Sequence, residues 1–85
     1  MNKQQRVVVN IYNEQYALKS GLSEERVQKL AADVDKRMQR IASVQPTLSS
    51  ARIAVLVALE FADEALSNQE AYDSIMAAIK KNITA

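Results

Sequence analysis

After Ser50 the chain contains neither glycine nor proline, the two residues that most readily stop a helix. A helix capped at Thr47 or Ser49 is therefore free to run to about residue 83, roughly 50 Å at 1.5 Å per residue. Its first half reads ARIAVLVALEFADEAL, residues 51–66, in which only Arg52, Glu60, Asp63 and Glu64 carry charge. A surface helix shows a polar face for about half its circumference; this one shows almost none before Glu60. The uncharged run from Ile53 to Leu59 is far shorter than the ~20 residues a spanning helix needs. The segment is expected to be buried in protein, with no membrane insertion.

What precedes it supplies part of the cover. Residues 6–12, RVVVNIY, are rich in β-branched side chains, with Val7, Val9 and Ile11 on one face and Val8, Asn10 and Tyr12 on the other. Residues 15–19, QYALK, alternate again, with Tyr16 and Leu18 on one side. Asn13 between them tolerates positive φ, so the two runs form a β-hairpin turning at Asn13, with Glu14 a poor second turn residue. Ser20-Gly21 closes the hairpin, Ser23 is the N-cap of a first helix, and Leu22 and Val27 sit where a hydrophobic staple forms. Along that helix Val27, Leu30, Ala31, Val34, Met38, Ile41 and Ala42 fall within an arc of about 120°. Arg26, Lys29, Lys36, Arg37 and Arg40 fall on the far side. Val44-Gln45-Pro46 ends the helix, because the residue before proline is pushed out of the α region.

The two helices do not match in length. The first, about 20 residues or ~30 Å, cannot cover the second from end to end. Yet an apolar seam continues along the overhang: Val55, Leu59, Ala62, Leu66, Gln69, then Tyr72, Met76, Ile79 and Ile83. These are alternating steps of four and three, with one extra three between Gln69 and Tyr72. The pattern is a coiled coil with a stammer-like break. Leaving Leu66, Met76, Ile79 and Ile83 in water would forfeit roughly 1.5–3 kcal/mol each, an upper estimate. Together those losses rival the whole stability of a typical domain, roughly 5–15 kcal/mol. The lone chain is not the working species. Residues 51–66 are apolar on several faces because the first helix, the hairpin and the same segment of a second chain cover them.

The fold class is α+β: an N-terminal β-hairpin, one amphipathic helix and one long C-terminal helix forming a coiled coil, in an obligate oligomer. Residues 1–5 read as a flexible N-terminus, 6–66 as a head domain and 67–85 as a coiled-coil tail. With no Cys and no His, disulfides are excluded and a structural zinc site is not expected. The commonest general base and the best thiol nucleophile are missing too. Gly21, alone of its kind, rules out a glycine-rich phosphate loop. The carboxylate pairs Asp33/Asp35 and Asp63/Glu64 read as solvated helix surface. No catalytic residue, cofactor or metal is expected. Met1 to Gln5 is polar with no apolar signal segment after it, which points to the cytoplasm. Net charge is +1, so no strong global field draws the chain to nucleic acid or membrane. Tyr12, Tyr16 and Tyr72 read as packing residues.

The basic stripe on the first helix is either a solvated face or a docking surface for an acidic partner. Asp33 interrupts it and no aromatics interleave with it, which argues against nucleic acid.

The order of parts resembles a known family. IYNEQYAL (11–18), ERVQKLAADVDKRMQRIA (25–42) and LSSARIAVLVALEFADEAL (48–66) are similar to the ZapA family of bacterial cell-division proteins. The most specific pieces are AVLVALEFADE, which looks like the family's A-V-L-A-A-L-x-x-A-D-E, and V-D-x-x-M in the first helix. The likeness covers residues 6–66. It implies a non-catalytic accessory protein that binds polymers of FtsZ, the bacterial tubulin relative, and bundles them at midcell. It further implies a homodimer whose tails can join into a dimer of dimers, with the charged surface of the head meeting the filament. Asn13 stands where the family often has glycine, and the tail is short. Two other readings stay open. A ribbon-helix-helix DNA-binding dimer would place Arg6 and Asn10 in the major groove. A generic coiled-coil assembly module would use the stripe only for solubility.

Overall fold

The chain, seen in a computed structural model that describes residues 4–84, with side chains through Lys81, folds as β1 (Gln5–Ile11), β2 (Glu14–Ser20), α1 (Glu24–Val44) and α2 (Ser50–Thr84). The two strands pair antiparallel, from Gln5 opposite Ser20 to Ile11 opposite Glu14. The turn lies one residue earlier than expected: Tyr12 and Asn13, not Asn13 and Glu14, are its two central residues, both at positive φ (50° and 66°), and Glu14 is already in the strand. Positive φ at both positions is the type I′ arrangement, whose backbone matches the twist of the strands. For a tyrosine that backbone is unfavourable, and a neighbour holds it. The Tyr12 backbone N–H donates to Asp35 Oδ1 at 2.7 Å, and Tyr12 packs against the cluster around Ile53. Asp35 is therefore no solvated surface carboxylate; it ties α1 to the hairpin turn.

Helix α1 starts as its punctuation requires. Ser23 Oγ accepts from the Arg26 N–H at 3.1 Å, and Glu24 and Glu25 lie in the positive first turn. Ser49 does the same for α2, accepting from the Arg52 N–H at 3.2 Å. Gln28, seven residues before Asp35, donates its amide to the Val8 carbonyl at 2.8 Å. Residues seven apart share a helix face, so Gln28 and Asp35 fasten one flank of α1 to β1 and the hairpin turn.

The core is two small clusters. Val7 and Val9 of β1 pack with Val27 and Ala31 of α1; Met38 packs with Ile53 and Val57 of α2; Ile11 touches both. Tyr16 and Leu18, opposite Val9 and Val7, lie on the same sheet face yet remain 43% and 40% exposed. Of the three tyrosines expected in packing, Tyr12 is half-buried, while Tyr16 and Tyr72 are exposed. Replacing Asp35 by Ala is expected to cost about 1–3 kcal/mol, because it orphans a partly buried N–H. Asp35→Asn, which keeps an acceptor, is expected to cost less; urea denaturation of both variants measures the difference.

Candidate partner-binding and self-association surfaces

The 21 residues of α1 make a rod of about 32 Å, and the 35 of α2 one of about 52 Å. Beyond Phe61, every described side chain of α2 is exposed. The expected seam residues Val55, Leu59, Ala62, Leu66, Gln69, Tyr72, Met76 and Ile79 all face solvent in the protomer; the side chain of Ile83 lies outside the described residues. Val55, Leu59, Leu66 and Tyr72 are each about 60% exposed. Ile75, which the stepping passed over, is equally open at 59%. Its spacing to Tyr72 and Ile79 (three and four) was the signal that could have included it.

These residues form two stripes. At ~100° per residue, Val55, Leu59, Ala62 and Leu66 fall within an arc of about 60°. Tyr72, Ile75, Met76 and Ile79 centre about 120° further round a straight helix. Gln69 and Asp73 mark the change, the Gln69 amide donating to Asp73 Oδ1 at 2.9 Å.

The basic residues of α1 divide in the same way. Arg26 and Lys36 are exposed and have no acidic side-chain partner among the described residues, and Lys29 pairs loosely with Glu25 at 3.7 Å. Arg37 is not on the far side. Its side chain is only 17% exposed, and its guanidinium makes ion pairs with Asp33 at 3.0 Å, Glu60 at 3.3 Å and both carboxylate oxygens of Glu64. It also lies 4.2 Å from the centre of the Phe61 ring. Arg40 reaches Glu60 from the next turn. Arg37 sits at the margin of the apolar arc, and the crossing of α2 turns that margin into the helix–helix junction. Hydrogen bonds from Arg37 are the main reason that the Glu64 carboxyl titrates below its usual range; the reciprocal bonds from Glu64 and then Asp33 raise Arg37.

Among the described residues no cluster of His, Cys, Asp or Glu is placed to hold a metal, and no helix is long and apolar enough to cross a membrane. The surfaces on display are suited to association: exposed apolar stripes on α2, and exposed ammonium and guanidinium groups on α1.

Glu64 is depressed in the folded state, so its contribution to stability is present above the unfolded carboxylate pKa and is lost as pH falls through the folded value. Glu64→Gln is expected to melt below the parent at pH 7, with the gap closing as the solution is acidified below about pH 4. A gap that stays constant down to pH 3 would assign the loss to packing.

The profile of the family described as Cell division protein ZapA matches residues 7–85. The chain is 35% identical over 77 residues to the cell division protein ZapA of Oceanobacillus iheyensis, covering 91% of this chain and 90% of that one. It is 32% identical over 76 residues to that of Geobacillus sp. (strain WCH70), covering 89% and 87%. A solved ZapA mutant dimer from Geobacillus stearothermophilus has a similar fold, with a TM-score of 0.74, 31% identity, and 94% and 93% of the two chains covered.

Proposed function

Because this chain belongs to the ZapA family of cell division proteins, we propose that it is a non-catalytic scaffold that binds FtsZ polymers and cross-links them at the cytoplasmic division site. Residues 6–66 form the head that meets the polymer, and residues 67–85 the coiled-coil tail. The observation that carries this reading is the exposed apolar surface along α2, from Val55 to Ile79, on a protomer with a small core of its own. That much apolar surface marks an association site.

The two stripes give the assembly its geometry. Val55, Leu59, Ala62 and Leu66 pair two protomers into a homodimer. A partner seated there cannot also cover Tyr72, Ile75, Met76 and Ile79, about 120° away round the helix. The second stripe therefore joins dimer to dimer through the tails. Heads at both ends of the resulting rod hold two filaments at once, and weak single sites become one avid cross-link.

On the head, Arg26, Lys29 and Lys36 are the exposed groups that meet an acidic filament surface, whereas Arg37 and Arg40 act at the junction of α1 with α2. Lys29→Glu with Lys36→Glu is expected to weaken co-sedimentation with GTP-assembled FtsZ about fivefold or more, with assembled mass unchanged. Unchanged pelleting would leave these residues as a solvated face. Separately, Ile79→Glu is expected to lower the assembled mass while leaving the head folded, since Ile79 lies beyond the reach of α1. Light scattering and circular dichroism on the same sample measure both properties.

A further inference from the structure

The sheet face turned away from α1 has no part in that reading. Because Ile11 and Glu14 close the two-residue turn as a hydrogen-bonded pair, the alternate rungs Asn10–Gln15, Val8–Ala17 and Arg6–Lys19 are non-hydrogen-bonded pairs. In such pairs the Cα atoms approach to about 4.5 Å and the side chains stand closest. The outward Val8 carbonyl, taken up by Gln28, agrees with this alternation. All six side chains are exposed, Val8 to 43%.

Arg6 and Lys19 thus face each other directly, and like charges directly opposite destabilise a hairpin. No acidic residue lies on this face, and neither cation has an acidic partner among the described residues. Glu14 is on the opposite face, where it accepts from the Tyr16 hydroxyl. The result is a three-rung surface with a cationic end, an apolar middle and an amide end, in which the cationic rung has no acidic partner among the described residues.

We infer that this face is a second docking surface, and that its partner is an acidic patch of the same polymer that the α1 stripe meets; the inference rests on the proposed function. Carboxylates of the partner answer Arg6 and Lys19, its apolar atoms cover Val8 and Ala17, and its polar groups pair with Asn10 and Gln15. A second copy docked face to face does not fit, because its own equivalent face offers no carboxylate. Nucleic acid fits poorly, because cations on one rung neutralise few phosphates and no aromatic on this face can stack on a base.

Arg6→Glu and Lys19→Glu, made singly, test this without endangering the fold, because each sets opposite charges across the rung. The melt is expected to be unchanged or raised and the assembled mass unchanged, while the concentration for half-maximal co-sedimentation with GTP-assembled FtsZ rises about fivefold. Both variants are also expected to lose binding less steeply than the parent as salt is raised. If the parent pellets and both variants pellet equally well, this inference is wrong and the proposed function stands. If the parent stays in the supernatant, the proposed function fails and takes the inference with it. Binding of the parent to duplex DNA at physiological salt, abolished in Arg6→Glu, would overturn it in favour of a nucleic-acid face.

Discussion

Ile53 and Val57 are the buried side chains by which α2, a helix of 35 residues, is held to its own protomer. Everything else in the structure depends on that imbalance. A hairpin and one helix of 21 residues supply a core of two small clusters, joined through Ile11. Small domains need a supplement to a core of this size, and a chain without cysteine has no disulfides to draw on. The apolar surface that would otherwise complete the core is displayed along α2 instead. The physical demand for cover is thus also the means of assembly.

Where α2 leaves α1, the contact changes from apolar to ionic. Below the crossing, Met38, Ile53 and Val57 pack with no polar group among them; at the crossing, Arg37 gathers Asp33, Glu60 and Glu64 over the Phe61 ring. An arginine suits this place because its planar fork can pair with several carboxylates while its face lies on an aromatic ring. The cluster spans both helices where the described side chains of α2 pass into solvent, so it bears on the direction in which the tail departs. The two cations nearest this junction are thereby withdrawn from the basic stripe, leaving Arg26, Lys29 and Lys36 as its exposed groups.

Most of the architecture was legible because the chain is punctuated locally. Ser23 and Ser49 cap the helices they precede, Pro46 separates them, and the alternation of Val7, Val9 and Ile11 identifies the buried face of β1. Two of the differences share one cause: each depends on a partner distant in sequence. Tyr12 enters the turn because Asp35, 23 residues on, holds its N–H. Arg37 leaves the solvent because Glu60 and Glu64 come across from α2, and its place at the margin of the apolar arc does not by itself reveal that crossing. The like-charged rung of Arg6 and Lys19 emerges only once the register of the hairpin is known. Ile75 is different, since its spacing was readable; a stepping that admits one residue per turn passes over a stripe two residues wide.

The central claim is that cover for α2 comes from other copies of the chain. Thermal unfolding across a hundredfold range of protein concentration, with sedimentation equilibrium on the same samples, tests it most directly. A folded oligomer that dissociates as it unfolds has a midpoint that rises with concentration, and its mass before the transition is at least twice that of one chain. A midpoint independent of concentration, with the mass of a single chain throughout, would contradict the account.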